Sequence, residues 1–148
     1  MGKALNASEK QVERQSVRLA FSLAGIVVVH YLFFFTDWYQ SYYVLDMAMH
    51  ASAGAWLGVF GLYFFFTRGH ISAARFVYVA VVVLGFVVLV GVLWEFHEFV
   101  SDLLITDQSR IMQTSVADTM SDLFFDLLGA SMTLTTRYVR FLWNNHSL

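Results

Sequence analysis

The stretch FVYVAVVVLGFVVLVGVLWEFHEFV, Phe76–Val100, decides the fold. It carries no charge from Phe76 to Trp94 and then turns acidic at Glu95 and Glu98. A continuous apolar run longer than the roughly 20 residues needed to cross a bilayer reads as a membrane helix, and the lack of in–out alternation excludes a barrel strand. Three further segments read the same way: Val17–Phe35, Tyr42–Phe66 and Ala117–Trp143, joined by Thr36–Ser41, Thr67–Arg75 and Ser101–Val116. The expected fold is all-α, a polytopic membrane protein with four transmembrane helices in a compact bundle. Residues 1–16 would be a cytoplasmic N-terminal segment, 17–143 the membrane domain and 144–148 a cytoplasmic tail.

Composition agrees. The 148 residues are 58% hydrophobic and 14% charged, with 15 Phe and 7 Tyr, too apolar for a soluble domain of this size. The chain has no Cys, so disulfides, thiolate metal sites and cysteine nucleophiles are excluded; it has no Pro, so a helix break would have to come from Gly. Polar residues precede the first apolar run, and no small-x-small exit follows it, so that run reads as a retained span and not a cleaved signal. Met1-Gly2 opens like a myristoylation site, but Asn6 stands where Ser or Thr is wanted.

Basic residues set the expected orientation. Lys3, Lys10, Arg14, Arg18, Arg68, Arg75, Arg137 and Arg140 fall on one side and Arg110 alone on the other. By the positive-inside rule both termini are cytoplasmic, in a bacterial inner membrane. Trp38, Tyr39, Tyr42, Tyr43 and Trp94 suit an outer aromatic belt and Trp143 an inner one. The Phe33–Phe35 and Tyr63–Phe66 runs are expected to face lipid.

The acidic residues show the opposite bias: apart from Glu9 and Glu13, all lie toward the outer side. At a rise of about 1.5 Å per residue, Asp46, His50, Glu95, Glu98, Asp122 and Asp126 share overlapping depths, roughly 3–14 Å below the outer helix ends. Asp46/His50 are spaced i, i+4; Glu95, Glu98 and Asp102 i, i+3, i+7; Asp118, Asp122 and Asp126 i, i+4, i+8, so each set lies on one helix face. Ala53, Gly54, Gly91, Gly129 and Ala130 share those faces and permit close helix approach. Ionisable groups inside a membrane are costly and mark functional sites by default. With no Lys or Arg at that depth, a cation is the natural counter-charge: Mg²⁺ or Mn²⁺ first, with Zn²⁺, Fe²⁺ or Ca²⁺ also compatible. Desaturase-type HxxxH boxes and a Glu-x-x-His motif are both missing.

The segments Asp46-Met-Ala-Met-His50, Trp94-Glu-Phe-His-Glu98 and Asp118-Thr-Met-Ser-Asp122-Leu-Phe-Phe-Asp126-Leu-Leu-Gly129-Ala130 resemble, in order and spacing, the VanZ-like and YjdF-like small bacterial membrane proteins. The likeness covers roughly residues 42–132. Met47 stands where VanZ-like members often carry a basic residue, and Asp126 where many carry Asn, so the YjdF-like branch is nearer. The resemblance implies an envelope-related membrane protein and supports the acidic site more than any particular reaction.

The leading functional expectation is a metal-dependent membrane phosphohydrolase acting on a lipid or polyprenyl phosphate at the outer leaflet. Asp46, His50, Glu95, Glu98, Asp122 and Asp126 would hold one or two divalent cations, with Glu98 and His50 in catalytic roles. Arg110, the lone outer cation, and Gln113 are candidate headgroup contacts. Membrane lipid or lipid-linked phosphate is the expected partner, with no nucleic acid. A cation or proton translocator is the alternative; it lacks inner-half carboxylates unless a homo-oligomer completes the path, and ion flux lost in Asp126→Asn would favour it. A non-catalytic scaffold or envelope-binding protein predicts that neutral, shape-matched replacements preserve function. Plainer readings apply residue by residue. Asp118 suits a helix cap with Ser115 or Thr114, Asp102 and Asp107 solvated loop charges, His97 an interfacial position, and His30 a structural hydrogen bond. His70 and His146 read as incidental. The six core residues could also be a buried polar network that locks the bundle.

Overall fold

A computed structural model of the chain describes residues 7–67, 76–105, 112 and 114–146. Arg68, His70, Arg75, Asp107, Arg110 and Gln113 lie outside the described residues. The described residues are helical almost throughout: α1 (Ala7–Phe35), α2 (Trp38–Ser41), α3 (Tyr43–Gly61), α4 (Phe76–Ile105) and α5 (Val116–His146). Beyond Gly61, α3 continues through a π-helical stretch, Leu62–Thr67. Helix satisfies every backbone donor and acceptor locally, which a lipid environment demands.

Three helical stretches are long and apolar enough to cross a bilayer: Glu9–Phe35, Tyr43–Phe66 and Phe76–Leu104. Helix α5 is not among them, because Asp118, Asp122, Asp126 and a run of Ser and Thr dilute its apolar surface. Element ends also differ from the sequence expectation. Helix α1 starts at Ala7, so much of the expected N-terminal segment belongs to the same helix as the first span. Likewise α4 runs on to Ile105 through the start of the expected outer loop.

Helices α3 and α5 run parallel and form the tightest pair. A Cβ added at Gly54 would collide with the Asp126 backbone, and one at Gly129 with the Ala51 carbonyl. Gly58 continues this contact; a Cβ there would sit 3.2 Å from Ala130 Cα. Gly54-x-x-x-Gly58 is thus a small-x-x-x-small seam that brings backbones together where apolar burial supplies no drive. Thr133 Oγ1 adds a 3.2 Å hydrogen bond to the Ala55 carbonyl. Antiparallel to both, α4 packs Val83 and Val87 against Ala130 and Leu134, a fully apolar core with Leu57, Leu62 and Phe66 around it.

Helix α1 is peripheral. Near its start, Ser16 and the Tyr63 hydroxyl share a 2.5 Å hydrogen bond, and Trp56 Nε1 donates to the Leu19 carbonyl at 3.1 Å and to Ser22 Oγ at 3.0 Å. Tyr63 is therefore buried and Phe66 packs on the core, whereas Phe64 is exposed; the expectation of a lipid-facing Tyr63–Phe66 run holds only in part. At its other end α1 turns sharply at Asp37, whose φ of 55° puts it in the left-handed region that Asp tolerates better than most residues. That corner places α2 against the outer end of α3.

Candidate metal centre

Seven ionisable side chains at one end of the bundle, the end expected to be outer, are buried: His50, Glu95, Glu98, Asp102, Asp118, Asp122 and Asp126. They come from α3, α4 and α5, the three helices that pack together most closely. The glycine seam explains the convergence. Gly54 lets α5 approach until Asp126 sits against α3, and a Cβ at Gly91 of α4 would come within 2.7 Å of Asp126 Oδ2.

His50 is the hub. Its Nδ1 contacts Asp126 Oδ1 at 3.4 Å, while Nε2 lies 3.9 Å from Asp46 Oδ1 and 3.9 Å from Asp122 Oδ1. The two 3.9 Å separations are too long for hydrogen bonds. They leave a space bounded by one imidazole nitrogen and two carboxylate oxygens, all within 4.8 Å of one another. Asp122 is only 2% exposed, and its Oδ1 has no hydrogen-bond partner among the described residues. A buried charged oxygen in that condition carries a large desolvation cost unless something neutralises it. The donor set fits a divalent cation. Asp126 behind Nδ1 stands where an outer carboxylate would fix the ring and its tautomer if Nε2 held an ion.

The remaining sequence candidates sort by distance from this hub. Glu98 lines the same cavity as Asp46, His50 and Asp126, with Oε1 held by Trp94 Nε1 at 2.8 Å. Glu95 is buried and close enough to Asp46, Glu98 and Asp122 to interact with each electrostatically. Arg110 and Gln113 lie outside the described residues. Asp118 closes the first turn of α5: its amide donates to Ser115 Oγ at 3.2 Å, and its Oδ2 accepts from the Thr114 amide and hydroxyl at 3.1 and 2.8 Å. Asp102 is not a solvated loop charge. It is buried, and its two oxygens accept from the Met112 amide at 3.1 and 3.2 Å, tying the end of α4 to the segment before α5.

Two aromatic partners had been read only as belt residues. Trp94 orients Glu98, which its i, i+4 spacing could have disclosed. Tyr39 shares a 2.9 Å hydrogen bond with His30 Nδ1, and the His30 ring meets Trp94 edge-on with centroids 5.2 Å apart. His30 thus has the structural hydrogen bond expected of it, yet it also lines the acidic cavity. Burial, with the Asp46 and Glu98 carboxylates, pushes the Tyr39 phenol above its ordinary range and keeps it protonated. No sequence periodicity links Tyr39 to His30; the Asp37 corner does.

Residues 16–142 match the family described as predicted membrane protein (DUF2238). An uncharacterised protein of Thermotoga maritima is 31% identical over 121 residues, which is 76% of this chain. The chain spans 59% of that relative's length. No solved structure matches it significantly.

Proposed function

The chain belongs to this family of predicted membrane proteins, and we propose that within it the Asp46–His50–Asp122 cluster is a divalent-cation centre serving hydrolysis of a lipid or polyprenyl phosphate. One observation carries the reading: Asp122 Oδ1 is buried without a hydrogen-bond partner, beside an imidazole nitrogen whose opposite face is backed by Asp126. A mixed carboxylate–imidazole set suits Mn²⁺ better than Mg²⁺, since imidazole prefers the softer ion. When bound, the cation supplies Lewis acidity toward a phosphoryl oxygen.

The chain's own groups do the rest. Asp46 and Asp122 bind, and Asp126 holds the His50 ring so that Nε2 faces them. Glu98, steadied by Trp94, takes a proton from the attacking water. The new O–P bond forms as the P–O bond to the lipid breaks, and the proton that Glu98 took passes to the leaving lipid oxygen. Arg110 and Gln113 belong to the proposal as headgroup contacts. The translocator reading is weaker, because the inner half beneath the site is filled by Val83, Val87 and Leu134.

The proposal extends to topology, which the same packing supports. Helix α5 crosses the bilayer as the fourth span, its polar residues shielded against α3 and α4. Lys10, Arg14, Arg18 and Arg137 line one recess at the end opposite the acidic cluster, which supports cytoplasmic termini. Kinship with VanZ-like and YjdF-like proteins in a bacterial inner membrane completes the proposal, resting on the quoted segments of α3, α4 and α5.

The test is metal content of the purified protein, alongside phosphate release from a polyprenyl phosphate with Mn²⁺. Retained metal and turnover that both vanish in Asp122→Asn support the proposal. Metal-free protein that gains no turnover with added Mn²⁺ sinks it.

A further inference from the structure

Beyond the Ser16–Tyr63 bond near its start, helix α1 is tied to the bundle at two further levels and stands off between them. The lower tie is Trp56 Nε1, bonded to Leu19 and Ser22; the upper is His30, bonded to Tyr39 and packed on Trp94. From residue 23 to 29, α1 makes no hydrogen bond to another helix among the described residues, and Leu23 and Val27 stay 40% and 42% exposed. The gap behind them is a cavity of about 260 Å³ between α1, α3 and α4. Its walls are apolar, with Met49, Leu57 and Val90 opposite α1, whereas its outer end carries Asp46, His50, Glu98 and Asp126. It runs roughly 10 Å along the helices, from the level of Leu23 to that of His30.

A second, smaller recess of about 90 Å³ reaches the same cluster from the outer end and is bordered by Asp37, Asp46, Glu98 and Asp118. His30, Tyr39, Asp46 and Glu98 line both spaces, so the His30–Tyr39 pair stands between them. The outer recess brings Asp37, Asp46, Glu98 and Asp118 together among Phe34, Tyr43 and Met112. It suits water and cations and repels a free phosphate anion. The lateral groove carries no charge until its end, and its α1 wall is the half-exposed Leu23 and Val27.

We propose that this groove seats the hydrocarbon chain of an anionic amphiphile, which enters sideways past α1 from the bilayer and brings its phosphate end to the cation centre. The proposal rests on the cation-centre reading and names the chain site that reading lacks. The cavity volume lies just below the usual range of about 300–1,000 Å³ for drug-sized ligands, room for one chain and not for two. Charge decides the route: the lateral approach spares the headgroup Asp37 and Asp118 and meets Asp46, Glu98 and Asp126 only at the groove's end, beside the cation centre.

The test uses the full chain in lipid nanodiscs with Mn²⁺ and hexadecyl phosphate carrying a photoreactive diazirine in mid-chain, with adducts mapped by mass spectrometry. Adducts on Met49, Leu57 or Val90 are expected, competed by unlabelled hexadecyl phosphate but not by hexadecanol or inorganic phosphate. Val27→Trp narrows the groove and should cut these adducts about tenfold while metal content is unchanged. Ala53→Leu, filling it from the opposite wall, should act alike if Val27→Trp folds poorly. Gly25→Leu, where an added Cβ meets nothing within 4 Å, should leave labelling intact. Labelling confined to the lipid-facing Val81, Leu89 and Leu93, or equal competition by hexadecanol, overturns the proposal. Groove labelling that persists in protein shown to hold no metal upholds the chain site and removes the cation reading instead.

Discussion

The inner and outer halves of the α3–α4–α5 trio use one backbone arrangement to opposite ends. In the inner half the buried positions are Val83, Val87, Ala130 and Leu134, and glycine contacts draw the helices together around them. In the outer half, on the same three helices, the buried positions are His50, Glu95, Glu98, Asp122 and Asp126. The inner half demonstrates that this chain can core the bundle with small and branched apolar residues. Packing therefore does not require the outer carboxylates, which cost desolvation energy that apolar replacements would avoid. The difference between the halves is what separates a site from a core.

The strongest way to break the comparison is to break what both halves share. Gly129→Leu drives a side chain into the Ala51 carbonyl and should cost more than about 3 kcal/mol, because backbone, not a flexible side chain, blocks it. Loss of the monodisperse peak on size exclusion and of cooperative unfolding by circular dichroism is the expected outcome. Next, Asp122→Asn keeps shape but removes charge. Mn²⁺ affinity should fall about a hundredfold, while metal-free protein should melt no lower than wild type, since a buried charge has gone. Unchanged Mn²⁺ affinity in titration calorimetry would turn the outer half into a polar packing network.

Metal removal sharpens the same contrast. Chelation should lower the thermal midpoint of wild type, the lost binding being worth about 2.7 kcal/mol at a metal concentration a hundred times Kd. It should leave Asp122→Asn unmoved, and equal shifts in both proteins would point to another site. In the inner half, Val87→Ala should cost about 1–3 kcal/mol through the cavity it opens, with Mn²⁺ binding intact. The smallest effect belongs to Thr114→Ala, which removes one of the groups holding Asp118. It should cost about 1 kcal/mol or less, visible as faster hydrogen exchange in the first turn of α5.

Much of this was legible residue by residue. The apolar run Phe76–Trp94 declares a membrane helix, and i, i+4 spacing places Asp46 with His50 and Asp122 with Asp126. Ser115-Val-Ala-Asp118 spells the start of α5. Other features had no signal in one dimension. Asp102 looked like loop polarity until the Met112 amide was found on it. Tyr39 and Tyr63 looked like interfacial and lipid-facing rings, and both turned out to bond to α1.

By itself the sequence determined the helical class, the membrane setting and the end of the helices at which the carboxylates gather, because hydropathy and helical period act locally along the chain. Only the tertiary structure decided which carboxylates meet His50, that Asp122 Oδ1 is left without a hydrogen bond, and that α1 leaves a gap beside the cluster. Those outcomes depend on how closely two backbones approach at Gly54 and Gly129 and on where polar ties hold α1. Both are contacts between residues distant in the chain, which no local pattern encodes.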